Sequence, residues 1–201
     1  MSGCDYVIPS GGVPSRQARI PIACPEAMTR LYLVVLGGRS EGCHIELHDV
    51  RFVAAASIEA AIPELRRQWF GRRRGLHIDS YVALDFVDGH RIELRPEPWG
   101  GSERLWFVNM GAYDPTQLAE LHQFTLVVAP SAQSAKARAR RQLLLGAAGR
   151  HNDDLHAVED ALQLESLQGW HVHLPLDPEN RHQPLVPDWF GYRRIDREAS
   201  A

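Results

Sequence analysis

The sequence LYLVVLGG at residues 31–38 returns as LWFVNMGA at residues 105–112. The correspondence continues without a gap, so that residues 31–83 align with residues 105–157 at a constant spacing of 74 positions. Identical residues recur at this spacing along the whole stretch, including Gly37/Gly111, Glu46/Glu120, His48/His122, Ser57/Ser131, His77/His151 and Asp79/Asp153. Self-similarity over such a span indicates a duplicated domain.

Each copy begins with two predicted strands and a helix. The apolar run at residues 31–36 ends at two glycines, which is typical of a buried strand followed by a turn. A second strand is predicted through residues 48–55. Ser57 is the predicted N-cap of the helix that follows, and Pro63 inside that helix implies a kink or a late helix start.

A hairpin is predicted after each helix. Residues 81–87 and 90–94 are its strands in the first copy, and Asp88-Gly89 between them is a favoured two-residue turn. In the second copy, about six residues are inserted before Gln168-Gly169 closes the counterpart. The predicted fold class is therefore α+β, with two pseudo-symmetric β-β-α-β-β repeats packed into one compact unit with a mainly antiparallel sheet.

The predicted boundaries follow the repeat. Residues 1–28 form an irregular leader, residues 29–100 repeat 1, residues 101–175 repeat 2, and residues 176–201 a proline-rich tail with a terminal aromatic string. Either half alone is short for an independent core, so we expect the repeats to share one. We expect the aromatic side chains of the tail to hold it in place.

Composition narrows the functional class. The formal net charge of −3 argues against a general nucleic-acid or membrane binder. No apolar run in the leader reaches the length of a signal-peptide core or a membrane span. Because Cys4, Cys24 and Cys43 form no CxxC pair, neither a disulfide framework nor a thiolate zinc site is indicated. A reducing cytoplasm is the simplest location.

A polar quartet recurs in the two copies. Its members are Glu46, His48, His77 and Asp79 in the first and Glu120, His122, His151 and Asp153 in the second, with Asp49 beside the first pair. Alternate strand residues share a face, so Glu46 and His48 should point toward the edge of the core. An unpaired buried polar group there costs about 1–3 kcal/mol. The favoured interpretation is therefore a structural hydrogen-bonded network.

The alternative interpretation is a metal site in the first copy. His44, Glu46, His48, His77 and Asp79 offer nitrogen and oxygen ligands that zinc or another divalent metal accepts. Such a site could activate water for hydrolysis. Because Leu118 stands at the position of His44 in the second copy, only the first copy has the full set.

The same strings resemble those of a known family. The glycine turn at residues 37–38, the Glu-x-His-Asp string at residues 46–49 and the His-x-Asp string at residues 77–79 are similar to a small bacterial family catalogued as domain of unknown function 1543. The resemblance covers about residues 29–174. It implies a soluble bacterial protein with a tandem domain, and it supplies no catalytic residues.

A basic and aromatic patch is predicted at the C-terminal end of the first helix and just beyond it. Its arginines are Arg66, Arg67, Arg72, Arg73 and Arg74, around Trp69 and Phe70. Such a patch could bind phosphate or single-stranded nucleic acid. A solvated helix end, whose cations complement the helix dipole, is the favoured interpretation.

The leading functional prediction is a non-enzymatic binding or interaction domain, with an unknown small molecule or protein as its partner. The alternative is a metal-dependent hydrolase or lyase that uses the His/Glu/Asp cluster of repeat 1, with a divalent metal such as zinc as the cofactor. A nucleic-acid or membrane partner is not expected. A homo-oligomer is possible on this sequence.

Overall fold

The computed structural model describes residues 28–112, 116, 118–146 and 158–197. The predicted leader, apart from Met28, lies outside them. In repeat 1, β1 (Arg30–Gly38), β2 (Leu47–Ala55) and β3 (His77–Leu84) form an antiparallel sheet, with α1 (Ile58–Gln68) between β2 and β3. In repeat 2, β7 (Arg104–Ala112), β8 (Leu121–Ala129) and β9 (Val158–Leu164) form the corresponding sheet, with α2 (Ala132–Gly146) between β8 and β9.

The central strand β1 is buried on both faces, as its continuous apolar run predicts. One face carries Tyr32, Val34 and Leu36, which pack with α1. The other face carries Leu31 and Leu33, which pack against repeat 2. The sheet of repeat 1 therefore lies between its own helix and the second repeat.

Both helices begin at the predicted N-caps. The Ser57 hydroxyl accepts a hydrogen bond from the backbone N–H of Ala60, and the Ser131 hydroxyl accepts one from Ser134. The first helix starts at Ile58 although Pro63 lies inside it, so the late start does not occur. On α2, the small residues Ala135 and Ala139 are fully buried against the sheet of repeat 2.

The register of β9 corrects the alignment of the two copies. Leu36 lies opposite Ile78 in repeat 1, and Met110 lies opposite Val158 in repeat 2. Leu36 and Met110 are 74 positions apart, whereas Ile78 and Val158 are 80 apart. The six inserted residues therefore lie between α2 and β9, earlier than the sequence pattern indicated.

The two predicted turns are present. Asp88-Gly89 joins β4 (Phe86–Val87) to β5 (His90–Arg91), and Gln168-Gly169 joins β10 (Ser166–Leu167) to β11 (Trp170–His173). All four turn residues have positive φ, from 48° to 85°, as a type I′ turn requires. The arms of the first hairpin separate beyond the turn, because β3 pairs with β1 while β6 (Glu93–Arg95) pairs with β11 of the other repeat.

The C-terminal segment supplies a strand that the sequence pattern did not predict. β12 (Trp189–Arg194) pairs antiparallel with β3 and completes the sheet order β12-β3-β1-β2. Trp189 stacks on Tyr81 with ring centroids 6.0 Å apart, and Ile195 just beyond the strand is fully buried. The expected aromatic tail is therefore an edge strand of repeat 1.

A shared core joins the repeats. Leu31, Leu33 and Phe52 of repeat 1 pack with residues of repeat 2 that include Leu105 and Leu126. The rings of Phe52 and Phe107 meet edge to face across this interface, with centroids 5.3 Å apart. The architecture is α+β with mainly antiparallel sheets, as predicted. Neither described helix is long and apolar enough to cross a membrane.

Candidate functional site

Two residues of the polar cluster in repeat 1 are placed by strand register. Gly37 of β1 lies opposite His48 of β2 on one side and opposite His77 of β3 on the other. Because residues that lie opposite one another in a sheet share a face, the two imidazoles flank Gly37 on the face that Leu33 and Val35 present to repeat 2. The strand pairing alone therefore brings two histidines together that are 29 positions apart in the sequence.

A β-bulge brings Asp79 between the histidines. The pairing of β1 and β3 shifts between Val35 and Leu36, so that Asp79 has no partner on β1. Its carboxylate Oδ1 lies 3.1 Å from His77 Nε2, and its Oδ2 lies 3.3 Å from His48 Nε2. Bulges commonly redirect a side chain in this way beside a functional site.

His77 is the buried member of the cluster. Its Nδ1 lies 2.8 Å from the carbonyl oxygen of Gly75 and 3.8 Å from Glu46 Oε1, and the residue is 1% exposed. The Tyr192 ring of β12 covers the imidazole, with centroids 4.0 Å apart. Asp196 in turn accepts a hydrogen bond from the backbone N–H of Gly75.

The C-terminal segment therefore fixes the loop that orients His77. Hydrogen bonds to Asp196, first from the Arg194 guanidinium and then from the Gly75 N–H, hold the pKa of the Asp196 carboxyl well below its ordinary value. Asp196 thus stays ionised across the physiological range, and its contacts with Gly75 and Arg194 persist.

Glu46, His48 and His77 have the donor atoms of a metal site and lie close together. One nitrogen or oxygen from each lies within 4.8 Å of the others. Zinc binds histidine nitrogen and carboxylate oxygen at about 2.0–2.2 Å, so two ligands of one ion lie at most about 4.4 Å apart. The side chains of Glu46 and His48 are 36% and 53% exposed, so neither is fixed by close packing. Asp79 contacts both histidines from outside this trio.

Two other residues that the sequence analysis names beside the cluster, His44 and Asp49, lie outside this trio. His44 is exposed on the loop between β1 and β2 and is not among the residues whose ligand atoms converge. Asp49 follows His48 directly and therefore points to the opposite face of β2. There its carboxylate forms an ion pair with Arg51 at 2.5 Å.

Repeat 2 reproduces only part of the cluster among the described residues. His122 lies opposite Gly111, as His48 lies opposite Gly37, and its Nε2 is 3.7 Å from Glu120 Oε2. His151 and Asp153 lie outside the described residues. Glu159 is the bulged residue of β9, at the position that Asp79 has in β3. The two copies therefore differ at the aspartate of the cluster.

Comparison with known proteins places the chain in a family. The model described as Domain of Unknown Function (DUF1543) matches residues 43–94 and 117–174, which is more than half of the chain. The chain belongs to the DUF1543 family. It is also similar to a solved structure described as the protein Il1583 from Idiomarina loihiensis, with 40% identity and a TM-score of 0.66 over 83% of this chain and 97% of that chain. Among curated proteins, none matches.

In this DUF1543 protein, a cleft of about 570 Å³ opens between the repeats beside the cluster. Apolar side chains line its interior, among them Val35, Val50, Phe107 and Phe124. His48 and His122 are among its polar lining residues, one from each repeat. His48 therefore belongs to both the cluster and the cleft.

The arginines in the last turn of α1 and in the loop after it divide into two groups. Arg66 donates to the backbone carbonyls of Ile195 and Arg197, and Arg67 forms a bidentate ion pair with Glu64. These two arginines therefore have structural roles. Arg72 and Arg74 instead line a small pocket with Arg39, and Arg73 is exposed outside it. Sequence reasoning missed Arg39, because it lies 33 positions before Arg72.

Proposed function

We propose that this DUF1543 protein is a metal-binding protein and that Glu46, His48 and His77 hold a divalent transition metal such as zinc. The observation that carries the proposal is the convergence of two imidazoles and one carboxylate within 4.8 Å at the end of the sheet. Two nitrogens and one oxygen form a donor set that zinc and related ions accept.

The arrangement of Asp79 supports this proposal. Histidines that bind metals usually give their second nitrogen to a carboxylate or a backbone carbonyl, which fixes the ring orientation. Asp79 contacts both histidines, and the Gly75 carbonyl contacts His77. At His48, Asp79 contacts Nε2, so Nδ1 would be the nitrogen that binds a metal ion. At His77, Asp79 contacts Nε2 and the Gly75 carbonyl contacts Nδ1, so a metal ion would replace one of these two oxygens and the other would hold the ring.

The exposure of His48 favours a metal over the purely structural network that the sequence analysis preferred. Its side chain is 53% exposed, so water can satisfy the ring and no structural partner is required. A structural network, which pairs buried polar groups with hydrogen-bond partners, accounts for the contacts of His77, which is 1% exposed. It does not explain the placement of an exposed histidine and the Glu46 carboxylate beside it.

The test is metal-dependent stabilisation of protein purified without a histidine tag. A ligand that binds only the native state at about a hundredfold excess over its Kd stabilises by about 2.7 kcal/mol, which corresponds to a rise in Tm of about 5–10 °C for a chain of this size. We expect this rise with zinc, and we expect it to disappear in His48→Ala and in Glu46→Gln.

The matched controls are His44→Ala and His122→Ala. Both remove an exposed histidine from the equivalent loop or strand, and neither changes the trio. Both variants should keep the zinc-dependent rise in Tm. No stabilisation by zinc, cobalt, nickel or manganese, or a rise that survives in His48→Ala, would show that the cluster is a structural network only.

The position of the trio favours a metal-dependent hydrolase as a second candidate function. Catalytic zinc sites have three protein ligands and leave one position for water, whereas structural sites have four. The trio supplies three ligands, and His48 faces the cleft between the repeats. Metal-loaded protein should then hydrolyse a member of a panel of activated esters, amides and phosphoesters, with loss in His48→Ala. Stoichiometric zinc binding without turnover of any panel member would contradict the hydrolase and support metal binding as the only function of the trio.

A further inference from the structure

A second concave site lies where two loops of repeat 1 meet. Its lining residues are Arg39, Ser40, Gly42, Cys43, Arg72, Arg74 and Gly75, around a volume of about 410 Å³. We call it the arginine pocket. It combines the loop that follows β1 with the loop that follows α1, and neither loop alone contains all three arginines.

Backbone hydrogen bonds and packing hold the two loops together. The backbone N–H of Arg72 donates to the carbonyl of Arg39 at 2.7 Å, and the indole N–H of Trp69 donates to the carbonyl of Arg72 at 3.2 Å. In the first loop, the Ser40 N–H donates to the Cys43 thiol, which donates back to the Ser40 carbonyl. The pocket is therefore built on connected backbone, and its arginines do not simply extend from a free loop.

The arginines of the pocket lack acidic partners. Arg39, Arg72 and Arg74 form no ion pair with any carboxylate in the described part of the chain, whereas Arg67 pairs with Glu64 and Arg194 pairs with Asp196. Three permanently charged guanidinium groups around one small volume repel each other. An anion in the pocket would relieve this repulsion.

The glycines of the pocket leave room for an anion to approach the backbone. Gly42 and Gly75 have φ of 75° and 85°, a conformation that other residues rarely adopt. An added Cβ at either position would meet no atom within 4 Å, so the space in front of the backbone is open. Guanidinium groups bind phosphate through paired hydrogen bonds, which makes arginine the preferred residue for phosphate recognition.

We infer that the arginine pocket binds the phosphate group of a small phosphorylated ligand. Its concave shape and its volume of about 410 Å³ are those of a small-molecule site, whereas nucleic-acid surfaces are extended basic grooves with stacking platforms. Gly75 both lines the pocket and accepts the hydrogen bond from His77. The pocket therefore adjoins the proposed metal site, but the inference does not depend on a metal.

The test is titration calorimetry of the full chain with inorganic phosphate and with pyrophosphate, at low and at physiological salt. Arg72→Ala and Arg74→Ala should each weaken binding about tenfold or more, because each removes a charge-assisted hydrogen-bond donor. Arg73→Ala removes the same charge from the residue between them, which lies outside the pocket, and should change the affinity less than about twofold. His48→Ala should bind both anions as the parent does, so failure of the metal proposal and failure of this one are distinguishable.

Three results would overturn the inference. Equal weakening by Arg72→Ala, Arg73→Ala and Arg74→Ala would show that net charge attracts the anion and that the pocket does not select it. The absence of binding at low salt would show that the pocket is not a phosphate site. Binding of a single-stranded oligonucleotide far more tightly than pyrophosphate, with loss in Arg72→Ala, would identify the site as a nucleic-acid surface.

Discussion

Gly37 is the residue on which the geometry of the polar cluster depends. It separates His48 from His77 in the sheet, and the absence of a side chain lets the His77 imidazole and the Asp79 carboxylate lie over the backbone. A Cβ at this position would lie 2.8 Å from His77 Cε1 and 2.9 Å from Asp79 Oδ2. Those distances are too short for carbon against carbon or oxygen, so a larger residue must displace the cluster.

Gly37→Ala is therefore expected to destabilise the fold by about 1–3 kcal/mol, because the buried His77 has little room to move. It should also abolish metal-dependent stabilisation. Denaturant unfolding with and without zinc measures both effects. Gly100→Ala is the control, since a Cβ there would meet no atom within 4 Å, and it should change stability by less than about 0.5 kcal/mol. Equal small effects of the two substitutions would show that the cluster is not packed against Gly37.

At the scale of the elements, the C-terminal segment holds repeat 1 together at two places. The stretch at residues 175–188 wraps the β4–β5 hairpin, where the Asp177 N–H donates to the Gly89 carbonyl and the Gly89 N–H donates to the Arg181 carbonyl. Beyond it, β12 pairs with β3 and brings Tyr192 over His77. The cluster of repeat 1 is therefore completed by residues that follow repeat 2 in the sequence.

The Asp177 ion pair gives the wrapping segment a defined acid sensitivity. Hydrogen bonds from Arg181 lower the pKa of the Asp177 carboxyl from 3.8 to about 2. Because the pKa is lower in the folded state, the pair stabilises the fold at pH values above 3.8, and this contribution is lost as the pH falls through about 2. The stability difference between the parent and Asp177→Asn should therefore be constant above about pH 5 and should shrink between about pH 4 and pH 2.

Denaturant midpoints measured across this range provide the test. Glu179→Gln is the matched control, because Glu179 also contacts Arg181, at 3.4 Å, but its side chain is 71% exposed. It should leave the pH profile unchanged. A stability difference between the parent and Asp177→Asn that is independent of pH would contradict an ionic contribution from this pair.

At the scale of the whole molecule, the repeats share the core that neither completes alone. Leu84 of repeat 1 and Leu126 of repeat 2 belong to the same buried cluster, and each is 2% exposed. The pairing of β6 with β11 adds backbone hydrogen bonds between the repeats. Separation of the repeats would expose this apolar surface to water, so we expect them to unfold together.

Thermal unfolding should accordingly show one transition, with coincident curves from circular dichroism and tryptophan fluorescence. Leu84→Ala and Leu126→Ala should each lower the stability of the whole chain by about 2–5 kcal/mol, although they lie in different repeats. Leu162→Ala, at a side chain that is 51% exposed, should have a much smaller effect. Two separate transitions, each sensitive to only one substitution, would show that the repeats are independent domains.

Part of the candidate site could be predicted from the sequence because strand alternation and the repeat both mark it. The sequence pattern predicts that Glu46, His48, His77 and Asp79 lie together, and all four converge in repeat 1. The ungapped alignment also matches Asp79 to Asp153, but in the register of β9 the corresponding position is that of Glu159. An ungapped alignment cannot locate an insertion when the residues before it and the residues after it both resemble the same stretch of the other repeat.

The sequence by itself determined the duplication, the helix starts at Ser57 and Ser131, and the turns at Asp88-Gly89 and Gln168-Gly169. These features depend on the conformational preferences of neighbouring residues, which a local pattern contains. Only the tertiary structure decided that β6 pairs with β11, that β12 joins β3, and that Arg39 meets Arg72 and Arg74. A strand edge can pair with many partners of similar local energy, and the choice among them is made by the apolar faces that remain to be buried when the whole chain packs.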